Sequence, residues 1–536
     1  MQFAVADIHE AIAATRPDDE CLVFRQHRLT WAQVTERTRR LANHLHSAGL
    51  GVRVEREHLA GHESGQSHLA VYLHNGNEYL EAMLGSFKAR VAPFNVNYRY
   101  VAEELRYLLN DSQAEAVVVH SQFAPTLAEV LPDLPNLRVI LQVPDESGNE
   151  LLPGAVWYED ALAAASAERP PVTPSPDDLY ILYTGGTTGM PKGVLWRNGD
   201  ANIECFGGSR AETVDGVLAE ATGGLRALLA PPFMHGAGHW MSFRTWNSGG
   251  SVFVQSVPER LDPVDVWGLI EREQLNFLLI VGDAFARPLL DELARGAYDL
   301  SSLTVLLSGG APLSAHLKDE FLQHLPTLMI VDGLGSSEAG GQLSHVSAGG
   351  GSTTGTFAIA PGNHVLSADL DRELQPGDDE LGWLAKSGNL ALGYLGDPDK
   401  TARTYPVIDG QRYAVPGDRA RLRADGDIEL HGRDSVTINS GGEKIFAEEV
   451  EAAIKRHPAV YDCVVAGRPS PRWGNEVVAI VRLRDGVAAD EAALLAEAEQ
   501  HIARYKLPKA FVFVPVIQRS PSGKADYRWA KEQATA

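Results

Sequence analysis

A glycine-rich segment near the middle of the chain combines the residue types that bind phosphate. It reads Tyr183-Thr184-Gly185-Gly186-Thr187-Thr188-Gly189-Met190-Pro191-Lys192-Gly193-Val194 and follows the strand-like run Leu179–Leu182. Glycines let the backbone approach a ligand closely. Consecutive hydroxyl and N–H groups donate hydrogen bonds to phosphate oxygens, and Lys192 adds a positive charge. The sequence therefore predicts a phosphate-binding loop.

This loop is not the P-loop of nucleoside triphosphatases. That motif requires a glycine immediately before its lysine, and Pro191 precedes Lys192. The other Gly-Lys pair, Gly523-Lys524, is followed by Ala525 and has Gln518 at the position of the first glycine. A P-loop kinase or GTPase is therefore disfavoured. An NAD-linked dehydrogenase is disfavoured as well, because its Gly-x-Gly-x-x-Gly between strand and helix is missing.

The phosphate-binding segment resembles the signature of the adenylate-forming superfamily, which includes acyl-CoA synthetases, nonribosomal peptide adenylation domains and firefly luciferase. Six further segments resemble that family's motifs in the same order: Pro232–Gly238, Ser308–Pro312, Asp332–Glu338, Tyr413–Asp418, Gly432–Lys444 and Pro521–Lys524. The chain is identified as a member of this family. Segments 55–67, 94–100 and 441–444 are most similar to actinobacterial acyl-CoA synthetases that activate fatty acids or steroid acids.

The resemblance implies two half-reactions that use ATP, Mg²⁺ and CoA. A carboxylate first attacks the α-phosphate of ATP to give an acyl-adenylate and pyrophosphate, and the CoA thiol then displaces AMP. Lys524 is the cation expected to bind the carboxylate and bridging oxygens during adenylation. Glu338 and Thr184 are expected to ligate Mg²⁺, a hard ion suited to oxygen ligands. The resemblance also places His235 beside the forming adenylate.

The family pattern assigns nucleotide contacts residue by residue. Asp418 is expected to accept the ribose hydroxyls, Arg433 to contact ribose or phosphate, and Ser337, where the family more often has threonine, to donate to the α-phosphate. Leu334 replaces the usual aromatic residue beside the base. The full nucleotide-binding set is Thr184, Gly185, Gly186, Thr187, Thr188, Gly189, Lys192, Gly310, Ala311, Pro312, Asp332, Gly333, Leu334, Gly335, Ser336, Ser337, Asp418, Arg433 and Lys524.

The same pattern predicts where the other two substrates bind. The acyl pocket is expected to consist of Phe233, His235, Gly236, Gly238, Trp240, Gly310 and Gly335, and the CoA side of Ser440, Gly441, Gly442, Arg472 and Trp473. The pocket residues are small, apolar or aromatic, and no Asp pairs with a substrate ammonium, so an apolar acid is favoured over an amino acid. Fatty acids and steroid-type acids both remain open. So does an acceptor other than CoA, such as an amine.

The elements that position these residues indicate an α/β protein with a second, smaller domain. Apolar strand-length runs alternate with amphipathic helices up to about residue 430, which favours layers with mixed and parallel sheets. One such helix begins at a capping box formed by Thr30 and Gln33. The last hundred residues resemble a compact α+β unit. We expect an adenylation domain over 1–432 and a mobile cap over 433–536, with Asp434 or Ser435 as the hinge.

Composition limits the partners of the chain. The 536 residues have a net charge of −23, which argues against binding to nucleic acid or to anionic membranes. Cys21, Cys205 and Cys463 are far apart, so neither a disulfide framework nor a cysteine zinc site is expected. No apolar run is long enough to span a membrane, and no signal peptide is recognisable. A cytoplasmic enzyme of small molecules is expected, with a homodimer left open.

Overall fold

The computed structural model describes residues 2–186, 189–349, 351–440, 443–471, 473–521 and 523–536. Among them the helices are α1 (Val5–Thr15), α2 (Trp31–Ser47), α3 (Asn77–Lys88), α4 (Ala102–Asp111), α5 (Ala124–Val130), α6 (Tyr158–Ala164), α7 (Asn198–Glu204), α8 (Val214–Glu220), α9 (Gly236–Asn247), α10 (Pro263–Glu273), α11 (Gly282–Leu293), α12 (Ala315–His324), α13 (Pro398–Thr404), α14 (Ala447–Ile454), α15 (Glu491–Glu499) and α16 (Tyr527–Thr535).

The strands, numbered in the same way, are β1 (Glu20–Phe24), β2 (His27–Thr30), β3 (His68–Tyr72), β4 (Ala92–Asn95), β5 (Ala116–His120), β6 (Val139–Val143), β7 (Val156–Trp157), β8 (Leu179–Gly186), β9 (Gly189–Arg197), β10 (Arg226–Leu229), β11 (Ser251–Val254), β12 (Phe277–Ile280), β13 (Val305–Gly309), β14 (Met329–Ser336), β15 (Gly340–Ser347), β16 (Thr356–Phe357), β17 (Asn363–Leu366), β18 (Gly382–Lys386), β19 (Gly393–Tyr394), β20 (Val407–Ile408), β21 (Gln411–Arg412), β22 (Asp418–Leu422), β23 (Ile428–Arg433), β24 (Thr437–Ser440), β25 (Glu443–Phe446), β26 (Val460–Ser470), β27 (Gly474–Leu483) and β28 (Ala510–Phe513).

Two large, mainly parallel sheets form the body of the molecule. The first has the strand order β15-β14-β13-β12-β10-β11-β1-β2 and the second β19-β9-β8-β4-β3-β5-β6-β7. Antiparallel strands lie only at the ends of the described sheets, at β15 and β2 in the first and at β9 and β19 in the second. The predicted α/β architecture is confirmed. The β5 sequence Ala-Val-Val-Val shows why, since a continuous apolar run suits a parallel strand covered on both faces.

One apolar core joins the two sheets through the helices between them. Leu69 of β3 and Val252 of β11 belong to the same buried cluster as Leu41 of α2, Leu84 of α3 and Phe243 of α9. Helix α2 begins at the predicted capping box: the Thr30 hydroxyl accepts from the Gln33 N–H, and the Gln33 side chain accepts from the Thr30 N–H. Burial of this helical layer fixes the orientation of both sheets relative to each other.

The prediction that strands and helices alternate up to residue 430 is wrong after β15. Within residues 356–433, five strands form an antiparallel sheet with the order β16-β23-β22-β18-β17. Strands β22 and β23 are joined by a tight turn, in which Gly426 has a φ of +90°. This connection is too short to hold the crossover helix that parallel strands require. The apolar runs were recognisable as strands, but the direction in which two strands pair depends on the length of the connection between them.

The C-terminal unit is a compact α+β domain, as predicted. Strands β25, β24, β27 and β26 form its sheet, and β28 pairs with β27. Helices α14 and α15 cover one face of this sheet, and α16 packs on the other. The chain ends in helix α16, which the sequence analysis did not predict. Within the described part of the chain, no helix is both long and apolar enough to cross a membrane.

Candidate active site

The loops after neighbouring parallel strands meet at one edge of the first sheet. Strands β10, β12, β13 and β14 run in parallel, so their carboxyl ends share that edge, where open α/β sheets bind ligands. His235 lies in the loop after β10, Gly310 follows β13, and Ser337 and Glu338 follow β14. The topology therefore brings together three of the predicted segments that lie far apart in the sequence.

Lys524 reaches this edge from the cap. Its Cε lies 3.6 Å from the point that a Cβ on Gly310 would occupy. Burial lowers the pKa of Lys524 and Arg433 lowers it further, whereas Glu338 and Asp418 oppose the shift, so all three charged groups are within electrostatic range. The Lys524 side chain is nonetheless exposed to solvent. Desolvation of its ammonium group is therefore partial.

Asp418 and Arg433 form a charged pair beside Lys524. They stand opposite each other at the first residue of β22 and the last residue of β23. The Arg433 Nε lies 3.3 Å from Asp418 Oδ1, and the Asp418 side chain is buried. The backbone register fixes both positions. A buried carboxylate with a cation on one oxygen can accept hydrogen bonds from ligand hydroxyls on the other.

Glu338 is held by aromatic residues that the sequence analysis did not find. The Tyr394 hydroxyl donates to Glu338 Oε1 at 2.7 Å, and the Tyr405 hydroxyl donates to the main-chain oxygen of Glu338 at 3.3 Å. The Trp196 indole N–H donates to the main-chain oxygen of Ser337 at 2.8 Å. Lys400 lies over the Tyr394 ring, with its Nζ 3.9 Å from the ring centre. These contacts join distant segments, so no local pattern marks them.

The predicted phosphate loop is a hairpin between β8 and β9. Thr184 stands opposite Lys192 in its register. Lys192 Nζ lies 3.3 Å from Asp111 Oδ1, and the Tyr183 hydroxyl donates to Asp111 Oδ2 at 2.9 Å. Asp111 was not singled out from the sequence, because nothing local distinguishes it from other helix-terminal acids. Gly185, Gly186 and Gly189 belong to the two strands, whereas Thr187 and Thr188 lie outside the described residues.

His235 occupies the N-cap position of α9 and is neutral at physiological pH. Burial, Lys524, His239 and Arg99 together lower its pKa to about 3. Its Nε2 is buried and has no hydrogen-bond partner among the described residues. The neighbouring His239 is different, because its Nδ1 pairs with the Phe233 carbonyl at 2.6 Å and its Nε2 with the Tyr180 hydroxyl. His239 is thus a structural residue, whereas His235 retains a nitrogen for a ligand.

Most of the remaining acyl-pocket residues make packing contacts within the large domain. Phe233 is fully buried and packs edge-on against Tyr79 with the ring centres 5.7 Å apart. A Cβ on Gly238 would lie 2.7 Å from the Pro232 oxygen, and one on Gly335 would lie 2.6 Å from the Gly340 oxygen. Close contact with a backbone oxygen therefore explains why both positions are glycine, and no ligand is needed to explain them. Trp240, next to Gly236, donates its indole N–H to the Tyr180 hydroxyl at 2.8 Å.

Several predicted nucleotide residues take part in internal contacts of the domain. Asp332 forms a buried ion pair with Lys318, which also donates to the Thr353 carbonyl at 2.6 Å. Leu334 packs against the core of the antiparallel sheet. The remaining members of the segments at β13 and β14 are backbone or small side chains at the shared sheet edge: Gly310, Ala311, Pro312, Gly333, Gly335 and Ser336.

The predicted CoA side lies at one end of the cap sheet. Ser440, the last residue of β24, stands opposite Gly474, the first residue of β27, and the partly exposed Trp473 immediately precedes that glycine. The structure therefore brings Ser440 and Trp473 together. Gly441, Gly442 and Arg472 lie outside the described residues. Asp434 and Ser435 form a short turn between the last strand of the antiparallel sheet and the first strand of the cap sheet.

Comparisons with known proteins agree with this geometry. The sequence model described as "AMP-binding enzyme" matches residues 9–395, and that of the "AMP-binding enzyme C-terminal domain" matches residues 449–524. The medium-chain acyl-CoA ligase Mig of Mycobacterium avium is 56% identical over 99% of this chain and 98% of that protein. The medium/long-chain fatty acid–CoA/3-oxocholest-4-en-26-oate–CoA ligase of Mycobacterium marinum is 42% identical over 99% of this chain and 96% of that protein.

The fold is also shared with solved structures. The crystal structure of the anthranilate CoA ligase AuaEII in complex with anthranoyl-AMP superimposes with a TM-score of 0.83 at 21% identity, covering 100% of this chain and 98% of that one. The chain therefore belongs to the AMP-binding enzyme family. Because full-length relatives at 42% and 56% identity are acyl-CoA ligases, its class is that of an AMP-forming acyl-CoA synthetase, with ATP and CoA as substrates.

Proposed function

We propose that this acyl-CoA synthetase activates medium- or long-chain apolar carboxylic acids. The observation that carries the proposal is that Lys524 lies within electrostatic range of the neutral His235, which is flanked along the chain by the aromatic residues Phe233 and Trp240. A neutral imidazole suits an apolar acyl chain, and it leaves Lys524 as the cation for the substrate carboxylate. The names of the relatives from M. avium and M. marinum support the same class of acid.

A steroid-type acid is the second candidate. The relative from M. marinum is named for both fatty acids and 3-oxocholest-4-en-26-oate. The two candidates share a carboxylate attached to a long apolar body. They differ in width, which the partly exposed Trp240 beside Gly236 would limit.

In the first half-reaction we assign Lys524 the main electrostatic role. An oxygen of the substrate carboxylate attacks the α-phosphorus of ATP, a P–O bond forms, and the bond to the leaving pyrophosphate breaks. Negative charge builds up on the α-phosphoryl oxygens and the leaving group, so preorganised cations and N–H groups lower the barrier. Lys524 would neutralise this charge from the cap, while Lys192 would leave Asp111 and bind the pyrophosphate side.

We assign the nucleotide contacts to residues of the large domain. Asp418 would accept the ribose hydroxyls while Arg433 orients its carboxylate. Thr184 and Ser337 would donate to phosphate oxygens. The left-handed turn at Gly310, with a φ of +89°, would keep the loop after β13 clear of the bound adenylate.

Glu338 fits the requirement for Mg²⁺. No three His, Cys, Asp or Glu side chains converge into a metal cluster in the described ranges, so a dedicated protein cage is not what these residues offer. Mg²⁺ is commonly held by one or two carboxylates together with substrate phosphates and water. When bound, the ion would neutralise phosphate charge. The chain itself contributes the hydrogen bond from Tyr394, which orients the Glu338 carboxylate.

For the second half-reaction we propose that the cap rotates about the turn at Asp434 and Ser435. The boundary would then lie just after Arg433, within one residue of the expected division at 432/433, because the antiparallel sheet ends at Arg433 and the cap sheet begins at Thr437. The rotation would replace Lys524 at the site by the end of the cap sheet that contains Ser440 and Trp473. There the CoA thiol would lose its proton to water, its sulfur would form the C–S bond at the acyl carbon, and the bond from that carbon to the phosphate oxygen would break as AMP departs.

Product analysis by mass spectrometry tests the proposal. The purified enzyme is incubated with ATP, Mg²⁺ and a panel of acids, with and without CoA. The panel contains saturated acids of eight to eighteen carbons, 3-oxocholest-4-en-26-oate, a short acid and an amino acid. Acyl-CoA from the medium and long chains is expected. Preference for the short acid or the amino acid would contradict the proposed class, and acyl-AMP that is not converted with CoA would indicate another acceptor.

A further inference from the structure

The cap contacts helix α11 of the large domain through a buried ion pair. Lys455, the residue after α14, places its Nζ 3.3 Å from Oδ2 of Asp283, the second residue of α11. The two side chains are 13% and 12% exposed. Asp283 also accepts hydrogen bonds from the Ser314 N–H and hydroxyl, both at 2.7 Å. Its carboxylate is therefore fixed within the large domain before the cap lysine contacts it.

The ion pair continues through the cap to the residue before Lys524. Lys455 Nζ lies 3.6 Å from Asp462 Oδ1. Asp462 accepts two hydrogen bonds from Arg519, at 2.8 Å from Nε and 2.7 Å from a terminal nitrogen. The other terminal nitrogen of Arg519 donates to the Gly523 carbonyl at 3.0 Å. Alternating charges thus connect the large domain to the backbone next to Lys524.

The turn that contains Lys524 rests on the same end of α11. Gly523 has a φ of +75°, and a Cβ there would lie 3.1 Å from the Val281 oxygen and 3.2 Å from the Phe285 ring. Within the turn, the Ser520 N–H donates to the Lys524 carbonyl at 2.8 Å. The position of Lys524 therefore depends on how the cap sits on α11.

The charged groups in this network interact strongly across the interface because they are buried. Burial alone would raise the pKa of the Asp283 carboxyl, but Lys455 and the bonds from Ser314 outweigh it and lower the pKa. The pKa of Asp462 is lowered in the same way by Lys455 and Arg519. Both carboxylates are ionised at neutral pH, and salt screens buried pairs much less than exposed ones.

We propose that an ion-pair relay docks the cap on α11 and positions Lys524 for the adenylation step; its members are Asp283, Lys455, Asp462 and Arg519. These are positioning residues, since none of them lies at the reacting atoms. The Asp283–Lys455 pair joins the two domains, so rotation of the cap must break it. The relay therefore favours the first half-reaction over the second.

The test measures the two half-reactions separately in Asp283→Asn and Lys455→Met. Adenylation is followed by ATP–pyrophosphate exchange, and thioester formation by supplying acyl-AMP and CoA. We expect adenylation to fall by about 10- to 100-fold, because misplacing a catalytic group by about 1 Å costs that much. Thioester formation is expected to be unchanged or faster. In Asp283→Asn the folded state survives because Lys455 keeps Asp462 as a partner.

Asp291→Asn is the matched control. Asp291 also lies on α11 and faces the cap residue Arg484 at 3.9 Å, but this pair is more exposed, at 28% and 37%. Exposed pairs contribute little, so both half-reactions should stay close to wild type in the control. The double variant Asp283→Asn/Lys455→Met should lose no more adenylation than the worse single variant, because both remove the same link.

Three outcomes would overturn the relay. An equal loss of both half-reactions in the two single variants would indicate general destabilisation, which thermal unfolding would confirm. Additive losses in the double variant would show that the two residues act separately. Unchanged adenylation in both single variants would show that the cap does not need this contact. If Asp283→Asn is unstable, Lys455→Met alone decides between these outcomes.

Discussion

The large domain and the cap contribute to the site in different ways. On the large-domain side, Gly310 and Glu338 follow neighbouring parallel strands, so hydrogen-bonded backbone fixes their positions. On the cap side, Lys524 stands on a turn that is located by side-chain charges, from Asp283 through Arg519. Backbone ladders do not open without local unfolding, whereas an ion pair between domains separates as one unit. The groups that bind the nucleotide are thus fixed, and the group that must leave after adenylation is attached reversibly.

The largest expected effect is on the cap side, in Lys524→Ala. Removing this cation should lower the rate of acyl-adenylate formation by about 10²- to 10³-fold, the usual cost of losing one preorganised transition-state donor. Thioester formation from supplied acyl-AMP should be retained. Quenched-flow assays of both steps check this, with the exposed Lys531→Ala as control. Equal losses in both steps would contradict the assignment of Lys524 to the adenylation step alone.

On the large-domain side, Glu338→Gln should raise the Mg²⁺ concentration needed for half-maximal adenylation by about 100-fold. Tyr394→Phe, which removes the bond that aims Glu338, should raise it by about tenfold, in the range for residues that support a metal ligand. Tyr405→Phe is the control, because that hydroxyl contacts only the main-chain oxygen of Glu338 among the described contacts. A Mg²⁺ titration in which Tyr394→Phe and Tyr405→Phe agree would refute the aiming role.

Two helical glycines test the claim that backbone contacts fix the large-domain side of the active site. Gly238→Ala places a Cβ 2.7 Å from the Pro232 oxygen, whereas Gly268→Ala in α10 meets nothing within 4 Å. We expect Gly238→Ala to lower the free energy of unfolding by about 1–3 kcal/mol. Gly268→Ala should raise it by about 0.5–1 kcal/mol. Denaturant unfolding measures both, and equal shifts would show that the loop at His235 is not held by this contact.

A further expected effect concerns the pH dependence of stability. The pKa of His235 is about 3 in the folded protein and about 6.5 in the unfolded chain, so the unfolded state takes up the proton first. Stability should therefore fall as pH falls from about 6.5 towards 3, by about 1.4 kcal/mol per pH unit for this residue. His235→Asn should remove that part of the slope, and the exposed His27→Asn should not. An unchanged slope in His235→Asn would contradict burial of a neutral imidazole.

The sequence was sufficient to predict the family, the fold class and the segments that meet at the sheet edge. Those segments contain local patterns, such as glycines beside hydroxyls and a lysine, that are visible in a short stretch of chain. The antiparallel sheet was not predicted, because strand direction depends on turn lengths and pairing rather than on apolar runs. Roles such as those of Thr184 and Arg433 remain predictions.

Pairs across long sequence separations were beyond the reach of sequence patterns. Lys455 and Asp283 are 172 positions apart, and Tyr394 and Glu338 are 56 apart. Each of these residues has an ordinary neighbourhood, typical of a solvated charge or a core tyrosine. Only the folded chain shows that a cap lysine has an acidic partner in the large domain. Such pairs determine how the two regions are placed relative to each other, which no single motif describes.

The most direct test of the two-step account is a single-turnover experiment with a saturated ten-carbon acid. Enzyme in excess over the acid is mixed with ATP and Mg²⁺, quenched at intervals and analysed by mass spectrometry, and CoA is then added to a parallel sample. The account predicts that acyl-AMP accumulates without CoA and is converted to acyl-CoA and AMP on its addition. Formation of acyl-CoA without prior acyl-AMP, or acyl-AMP that persists in the presence of CoA, would contradict it.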